Sequence, residues 1–358
     1  MRESLIRIGI IGAGAIVRQR HLPNLKTIPS VEVSVVCNRR LETADSVAKE
    51  FQIPDATDDW RRVIDRSDLD VIWIGTNPHM HAEVTIAALD AGKHVFCQAR
   101  MARNLEEASR MLESARLHPD QVTMLCPPPN GMKHGAFFCE LIDNGEIGTP
   151  YHFNMRSFVP TWADPNAAAH WRQKIEISGN NVLSVGIYAE VLGRWFGHPT
   201  KLCAQGRVCI EDRGGYKVRI PDVLQLIGEW PRGFMGSIQW SGVAEFGGRD
   251  LLEVFGSKGT LRYDFGTDEV MLGRSGTKEL TTLAVPPEYV KGWTVEEDFI
   301  GAVRHGGHPE PSFETGFRYM KFVEAVAQSM RNGDWVSLDA IQPDQPGSVA
   351  TRNSPQSA

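Results

Sequence analysis

A glycine-containing turn between an apolar run and a helical pattern constrains the fold of this chain more than any other stretch. In "LIRIGIIGAGAIVRQRHLPNL", branched apolar residues lead into Gly12-Ala13-Gly14, and helical spacing follows. Further short apolar runs come after it, separated by helical patterns; they are "VEVSVVCN", "LDVIWIGTN", "GKHVFC" and "VTMLC". Strands that alternate with helices in this way predict a doubly wound parallel sheet with helices on both faces.

The second part of the chain has a different texture. After "PPPNG" and one helical segment, strand-like runs follow one another without crossover helices, in "CAQGRVCIE", "GFMGSIQWSG" and "DLLEVFGSKGTLRYDF". Consecutive strands of this kind predict a large, mostly antiparallel open sheet. We therefore expect an α/β domain over residues 1–126, an α+β domain over 127–340, and a disordered tail rich in Pro, Gln and Ser over 341–358.

Composition excludes several classes of protein. The 358 residues carry a formal net charge of −6, and six cysteines stand at irregular spacings. The acidic balance argues against nucleic acid or an anionic membrane surface as a partner. The cysteine pattern fits reduced thiols rather than disulfides or a metal site, and no apolar run approaches a membrane span. We expect a cytoplasmic protein without a metal that binds neither nucleic acid nor membrane.

The glycine turn has the form of a dinucleotide-binding motif, although Val17 replaces its third glycine. Glycines let the backbone approach a pyrophosphate, whose charge is stabilised by the N-terminus of the following helix. With Val17 at the third position, helix and strand are expected to lie slightly farther apart. The residues expected to contact the cofactor are Gly12, Gly14, Ala15 and Ile16.

The residues after the second strand predict which nicotinamide cofactor binds. The reader of the adenosine ribose lies about 20 residues beyond the glycines, and here the sequence is Asn38-Arg39-Arg40 rather than Asp or Glu. An amide followed by two guanidiniums suits a 2′-phosphate, which a carboxylate would repel. We therefore predict NADP and regard NAD as less favoured. The alternative is that Arg39 and Arg40 are solvated loop charges.

Further polar residues follow the strand "VIWIG". Thr76, Asn77 and His79 are expected at the carboxyl edge of the sheet, where ligands bind in open α/β folds, and are assigned to the cofactor. His81 is expected to begin a helix. His134, a lone histidine in "CPPPNGMKH", is expected to be structural.

Several motifs in order resemble one enzyme family. These are "IGIIGAGAI…HLP", "GTNPHMHAEVTIAALDAGKHVFC", "ELIDNGEIGTP", "SGNNVLSVGIYAEVLGRWFG" and "EVFGSKGTLRYDF". Together they resemble the Gfo/Idh/MocA family of glucose-fructose oxidoreductases and inositol dehydrogenases, and the resemblance spans about Ile6 to Leu338. It implies a Rossmann domain, an α/β domain whose open sheet faces a partner subunit in a homodimer or homotetramer, and an active site between the domains.

Two catalytic positions depart from the family pattern. The family's Glu-Lys-Pro, whose lysine lies by the nicotinamide, corresponds to Gln98-Ala99-Arg100; Gln98 is kept as a cofactor contact. The family's Asp and His, four residues apart on one helical face, correspond to Ser184 and Tyr188. Tyr replaces this His in glucose-fructose oxidoreductases, so only Tyr188 matches a known variant.

The remaining residues suggest which groups handle the proton. A tyrosine is a weak base but a serviceable acid, so Tyr188 is the predicted proton donor. Candidate cations that would lower its pKa are Lys174 and His170, in a segment that approaches the substrate in this family. The alternative is that both face solvent on a loop.

Other residues are assigned to the substrate. Trp171 is expected to stack on a ring-shaped ligand or only to pack, and Arg172 and Ser184 are expected to contact the ligand. Arg100 could enter the space left by the missing lysine. A guanidinium does not give up its proton there, so it would bind an anion or stabilise an oxyanion, and the substrate would carry a carboxylate, phosphate or phenolate.

Three functions are compatible with these residues. The first is an NADP-dependent oxidoreductase that acts on a sugar, cyclitol or related carbonyl compound, with Tyr188 as acid. The second is a redox-neutral lyase or hydrolase that retains the nucleotide, and the third is a sensor that binds the nucleotide without catalysis. The first is preferred, because reduction of a carbonyl needs an acid more than a base.

Overall fold

The computed structural model describes residues 4–343. From residue 344 onward, the segment predicted to be a disordered tail lies outside the described residues. Among the described residues, no helix is long and apolar enough to cross a membrane.

The first sheet confirms the predicted doubly wound topology. Its strands are β1 (Ile6–Ile11), β2 (Val31–Cys37), β3 (Asp55–Thr57), β4 (Val71–Ile74), β5 (His94–Cys97) and β6 (Thr123–Leu125). All six pair in parallel, in the order β3-β2-β1-β4-β5-β6. The order reverses direction at β1, which places the carboxyl ends of β1 and β4 at the point where such sheets bind ligands.

Both faces of this sheet are buried, which explains its continuous apolar strands. Within β4, Val71 and Trp73 join one core cluster, whereas Ile72 and Ile74 join the other. This alternation follows from the two-residue period of a strand. A parallel strand that is covered on both faces carries apolar side chains on both, so its sequence shows no alternation of apolar and polar residues.

Helices flank both sheets. They are α1 (Leu22–Leu25), α2 (Leu41–Phe51), α3 (Trp60–Ile64), α4 (Pro78–Asp90), α5 (Leu105–Leu117), α6 (Gly135–Asp143), α7 (Ile175–Ser178), α8 (Val185–Phe196), α9 (Val295–His305) and α10 (Phe313–Asn332). Asn104 caps α5, because its side chain accepts a hydrogen bond from the amide of Glu107 at 2.9 Å. Ser312 caps α10, because its side chain accepts a hydrogen bond from the amide of Thr315.

The second sheet is larger and mixed. Its strands are β7 (Pro150–Phe158), β8 (Lys201–Arg207), β11 (Val223–Glu229), β12 (Met235–Ser241), β13 (Leu251–Gly256), β14 (Gly259–Asp264), β15 (Glu269–Arg274), β16 (Thr281–Thr282) and β17 (Val336–Ser337), while β9 (Asp212–Arg213) and β10 (Tyr216–Lys217) form a separate ribbon. The nine strands run in the order β16-β15-β14-β13-β7-β12-β11-β8-β17. Only β7 and β12 pair in parallel, so the sheet is mostly antiparallel, as predicted.

One face of the second sheet packs on helices and the other is open. On the inner face, Leu226 and Trp240 are almost fully buried. On the other face, Ile227 and Met235 are 44% and 52% exposed, and the rings of His152 and Phe255 stack with centroids 4.8 Å apart. Side chains alternate between the two faces along each strand, and the open face carries apolar as well as polar side chains.

Helix α9 completes the core of the first sheet from the other end of the chain. Its Phe299 ring makes edge contacts with Trp73 and Phe96, at 5.8 and 5.5 Å between centroids. Val295 and Ile300 belong to the same cluster. The chain therefore returns to the first sheet after building the second, which fixes the two sheets around a shared cleft.

Candidate active site

The glycine turn is held by close backbone packing at the end of β1. Gly12 has a φ of +91°, and its amide donates to the carbonyl of Cys37 at 2.7 Å. A Cβ on Gly75 would lie 2.2 Å from the Gly12 carbonyl oxygen and 2.5 Å from the Val17 side chain. Gly75 therefore provides the room that lets Val17 stand where the third glycine of the motif was expected.

The space beyond this turn fits the phosphates of a dinucleotide. A Cβ on Gly14 would meet nothing within 4 Å, so the backbone is open to an approaching ligand. Helical structure begins at Ala15 and continues through a π-helical segment, Val17–His21, into α1; Ala15 and Ile16 are exposed at this N-terminus. The buried hydroxyl of Thr76 has no hydrogen-bond partner in the described protein. An open approach to the backbone at Gly14, a helix N-terminus and an orphaned hydroxyl are what a pyrophosphate and its ribose would fit.

The residues after β2 present an amide and two cations. The Asn38 side chain accepts a hydrogen bond from the amide of Ala13 at 2.8 Å, which ties it to the glycine turn. Arg39 and Arg40 are exposed, and neither has an ion-pair partner among residues 4–343. Their charges are therefore available to a ligand at this edge of the sheet.

The residues after β4 lie at the start of α4. Asn77 is the N-cap position of that helix but does not use its side chain to cap it. His79 lies in the first turn; partial burial and the positive charges of Arg103 and Arg39 lower its pKa, so it is neutral at pH 7. Arg39 follows β2 and His79 follows β4, so both lie at the carboxyl edge of the parallel sheet.

His81 connects the two turns that border the nucleotide site. Its Nε2 lies 2.9 Å from the carbonyl of Thr76, and its Nδ1 lies 3.0 and 3.1 Å from the carbonyls of Arg100 and Met101. The ring is fully buried within α4, and burial lowers its pKa. His81 is the fourth residue of α4 rather than its first, and its hydrogen bonds link the turns that follow β4 and β5.

The side chain of Gln98 is engaged within the protein. Its amide group hydrogen-bonds to Nε2 of His21, whose Nδ1 lies 2.5 Å from a carboxylate oxygen of Glu296. Burial works to raise the pKa of Glu296, but the hydrogen bonds from His21 and Asn24 hold it below its usual range. This buried chain links the end of β5 to α9 and positions the turn that follows.

A cavity of about 410 Å³ opens between the two sheets, a volume typical of small-molecule sites. Five of the residues predicted for catalysis or substrate binding line it together: Arg100, His170, Arg172, Ser184 and Tyr188. Ala99, which the sequence resemblance matches to the family's lysine, also lines it. His134 is not among the lining residues; its Nδ1 lies 2.5 Å from the carbonyl of Asp268, which is a structural role.

A carboxylate that the sequence did not reveal faces Tyr188. The Tyr188 hydroxyl donates to Asp250 at 2.6 Å and accepts from the amide of Asn130 at 3.3 Å. The Ser157 hydroxyl donates to the same oxygen of Asp250 at 2.9 Å. Burial raises the pKa of Tyr188, and the negative charge of Asp250 and its hydrogen bond raise it further. The neighbour of Tyr188 is therefore an anion, where the sequence predicted a cation.

Arg100 lies buried in the wall of this cavity. Only 4% of it is exposed, and its Nε and Nη2 atoms have no hydrogen-bond partner in the described protein. Its side chain passes over Gly186, where a Cβ would lie 2.6 Å from Cδ. Burial, together with the charge of Arg172, lowers the pKa of Arg100 to about 10, so it stays charged at neutral pH. The peptide bond before it is cis.

The loop that carries the predicted cations turns sharply at a short 3₁₀ segment, Trp171–Gln173. His170 caps this turn and accepts from the amide of Arg172 at 3.2 Å; burial and the charge of Arg172 lower its pKa. The Arg172 guanidinium stacks on Trp171 at 4.3 Å from the ring centroid. Trp171 is not among the lining residues, so its ring orients Arg172.

Lys174 is also not among the lining residues of the cavity. Its ammonium group lies 5.5 Å from the ring centroid of Tyr216, on the β9–β10 ribbon. The 3₁₀ turn that His170 caps directs the chain toward this ribbon. Lys174 therefore lies by Tyr216 and away from the cavity of Tyr188. Among the residues that the structure describes, no group of His, Cys, Asp and Glu side chains could hold a metal ion.

Two family models match the chain. A model of the oxidoreductase family with an NAD-binding Rossmann fold matches residues 6–125, and one of the GFO/IDH/MocA C-terminal domain matches residues 138–262. The chain belongs to the Gfo/Idh/MocA family. The predicted resemblance is thereby confirmed.

Relatives of this chain include a levoglucosan dehydrogenase and a myo-inositol 2-dehydrogenase. A levoglucosan dehydrogenase of Pseudarthrobacter phenanthrenivorans is 25% identical, and the match covers 94% of this chain and 99% of that one. A myo-inositol 2-dehydrogenase of Thermotoga maritima is 26% identical over the same shares of both chains. A structure of levoglucosan dehydrogenase in complex with NADH and levoglucosan has a TM-score of 0.83 and 24% identity, and covers 94% of this chain and 100% of that chain, which confirms the fold.

Ser184 and Tyr188, which the sequence resemblance matches to the family's Asp and His, both line the cavity. Ser184 lies at the N-cap of α8 and lines the cavity one helical turn before Tyr188. Asp250 was missed because it stands immediately before β13, and no local pattern links it to a tyrosine 62 residues earlier. Only the pairing of β7 with β13 brings Ser157 and Asp250 to the same end of the sheet.

Proposed function

We propose that this Gfo/Idh/MocA protein is an NADP(H)-dependent oxidoreductase that acts on a hydroxyl or carbonyl group of a sugar, cyclitol or related compound. The observation that supports this most is the pair Tyr188–Asp250, which lines a cavity next to the turn after β5. The sugar and cyclitol relatives support the substrate class.

The proposed preference for NADP rests on Arg39 and Arg40. Both are exposed cations without ion-pair partners among the described residues, beside Asn38, whose carbonyl oxygen already accepts from the glycine turn. Guanidiniums bind a phosphate dianion strongly. A cofactor without the 2′-phosphate would offer no anion for the guanidiniums of Arg39 and Arg40 to bind.

The bound nicotinamide would supply or accept the hydride, and the residues of this chain would handle the proton. Tyr188 has a high pKa, so on its own it is neither a phenolate base nor a strong acid. Its hydroxyl, however, donates to Asp250 while its oxygen can accept from a substrate hydroxyl. A proton can pass from the substrate to Tyr188 as the proton of Tyr188 passes to Asp250.

The same pair works in both directions. During oxidation of an alcohol, Asp250 ends as a carboxylic acid; during reduction of a carbonyl, a protonated Asp250 returns the proton through Tyr188. Ser157 and Asn130 hold the two groups in register through their own hydrogen bonds. This differs from the sequence prediction, in which Tyr188 was the acid with help from His170 or Lys174.

A turnover assay tests the proposal. Purified protein is incubated with NADP⁺ and a panel of cyclitols and sugars, and with NADPH and their keto forms, while the absorbance of the reduced nicotinamide is followed. Net turnover that is faster with NADP(H) than with NAD(H) supports the proposal. Consumption of a substrate without net change in nucleotide supports a redox-neutral lyase, and binding without any chemistry supports a sensor; either result contradicts the proposed oxidoreductase.

A further inference from the structure

Arg100 raises a question that the proposed redox chemistry does not answer. Only 4% of Arg100 is exposed, and two of its guanidinium nitrogens are buried without a hydrogen-bond partner in the described protein. No salt bridge to Arg100 forms among residues 4–343. A buried charge without a partner is strongly unfavourable. A protein keeps such a group where a ligand completes its contacts.

The surroundings of Arg100 indicate the charge of that ligand. Arg100 and Arg172 line the same cavity, and they are close enough for the charge of one to lower the pKa of the other. Two guanidiniums on one cavity create a positive potential that a neutral sugar would not use. The stacking of Arg172 on Trp171 fixes its position at the cavity wall.

The carboxylate of the cavity does not neutralise these arginines. Asp250 is hydrogen-bonded to Tyr188 and Ser157, and it forms no ion pair with either arginine among the described residues. The groups that line the cavity, Arg100, Arg172 and Asp250, leave one positive charge in excess while His170 is neutral. A monoanion balances this excess, whereas a dianion would overshoot it and face Asp250.

We infer that the substrate is a hydroxylated carboxylic acid, such as a sugar or cyclitol acid, whose carboxylate is bound by Arg100 and Arg172 in the cavity of Tyr188. This rests on the proposed function for its redox step, but the binding of the acid does not require turnover. The planar guanidinium fork matches the two oxygens of a carboxylate. Gly186 makes the site, because any side chain there would displace the Arg100 stem.

The experiment measures binding, so its result does not depend on the redox reaction. Calorimetry in the presence of saturating NADP⁺ compares glucuronate and galacturonate with glucose, with glucuronamide, which is their neutral match, and with glucose 6-phosphate. We expect the acids to bind and the amide and glucose to bind at least about 30-fold more weakly, the loss typical of an unmatched buried charge. Equal binding of glucuronate and glucuronamide, or tighter binding of the phosphate, would overturn the inference.

Variants separate this role from a structural one. Arg100→Met should abolish the preference for acids and leave the melting temperature equal or higher, because it removes an unpaired buried charge. A fall in melting temperature with unchanged preference would mean that Arg100 is structural. Arg110→Met, an exposed position outside the cavity lining, is the matched control and should change neither quantity.

A second variant keeps the test valid if Arg100→Met does not fold. Arg172→Met changes an exposed side chain, and it should weaken acid binding while glucose binding stays the same. An unchanged preference in Arg172→Met contradicts the two-arginine site. Turnover of neutral sugars with no affinity for any acid overturns the inference and leaves the proposed oxidoreductase intact. Acid binding without turnover supports the inference and contradicts the proposed oxidoreductase.

Discussion

Replacing Asp250 by Asn tests the proton pathway without disturbing the fold. The Tyr188 hydroxyl donates to Asp250 at 2.6 Å, and the amide oxygen of an asparagine can accept the same bond. Asp250 is only half-buried, so the change should alter the free energy of unfolding by about 1 kcal/mol or less. The amide, however, cannot take up a proton.

The expected kinetic effect is large. Loss of a positioned base typically lowers the rate by about 10²–10⁴-fold, which corresponds to about 2.7–5.4 kcal/mol of transition-state stabilisation. Tyr188→Phe should lower kcat similarly, because it interrupts the same relay and keeps the ring packing. The affinity for the nucleotide should persist in both variants, since neither residue lies at the glycine turn.

The chain offers a matched control outside the cavity. The Tyr263 hydroxyl donates to Asp268 at 2.7 Å, and this tyrosine is also fully buried beside a half-buried carboxylate. Asp268→Asn should therefore reproduce any general effect of losing such a charge, without the loss of turnover. If kcat of Asp250→Asn matches that of Asp268→Asn, the proton pathway is refuted.

The pH dependence of the rate has a defined sign. Because the pKa of Tyr188 is raised above its ordinary value of about 10, the residue stays protonated throughout the neutral and mildly alkaline range. The unmodified enzyme should show no alkaline titration from this group below about pH 10. In Asp250→Asn the negative charge is gone, so the pKa of Tyr188 falls and an alkaline limb should move to lower pH; a profile that shifts upward would contradict this.

Three further predictions concern the cofactor and the assembly. Replacing Arg39 and Arg40 by Ala should weaken NADP binding by about 10- to 100-fold, as expected for lost charged hydrogen bonds, with little effect on NAD; equal dissociation constants for the two cofactors in the unmodified protein would exclude the preference. Gly75→Ala should destabilise the protein because its Cβ would lie 2.2 Å from backbone, whereas Gly14→Ala should keep the melting temperature and weaken nucleotide binding; equal melting temperatures for both would contradict the packing. We expect a dimer or tetramer through the open face of the second sheet, and Ile227→Glu should shift the mass from light scattering toward the monomer; a monomeric unmodified protein at micromolar concentration would contradict this.

The sequence predicted those parts of the fold that have a local cause. Continuous apolar strands depend on neighbours within a few residues, and the structure confirms the parallel sheet that they predict. The expected extra distance at Val17 was a local argument that omitted Gly75, which is 58 residues away in the chain and makes the room. Close packing between distant segments leaves no periodic signal.

In the candidate site, too, some residues could be predicted from the sequence, whereas others depend on contacts between distant segments. Tyr188 and Ser184 were predicted because the sequence resemblance matches them to the family's His and Asp, and a helix keeps residues four apart on one face. Asp250 was not predicted, because a single carboxylate before a strand forms no sequence motif. The pairing of β13 with β7 brings it close to Ser157. The placement of Lys174 and Trp171 depended on the path of one loop, which the order of residues does not determine.

Transfer of deuterium from the nicotinamide tests the central claim most directly. Protein is incubated with NADPH that carries deuterium at the transferable position and with the keto forms of cyclitols, sugars and sugar acids, and the products are examined by mass spectrometry. We predict a product alcohol that carries one deuterium on carbon, formed by the unmodified protein and by Asp268→Asn, and formed far more slowly by Asp250→Asn at equal nucleotide occupancy. A nucleotide that binds fully while no product acquires deuterium would contradict the assignment of this chain as an oxidoreductase.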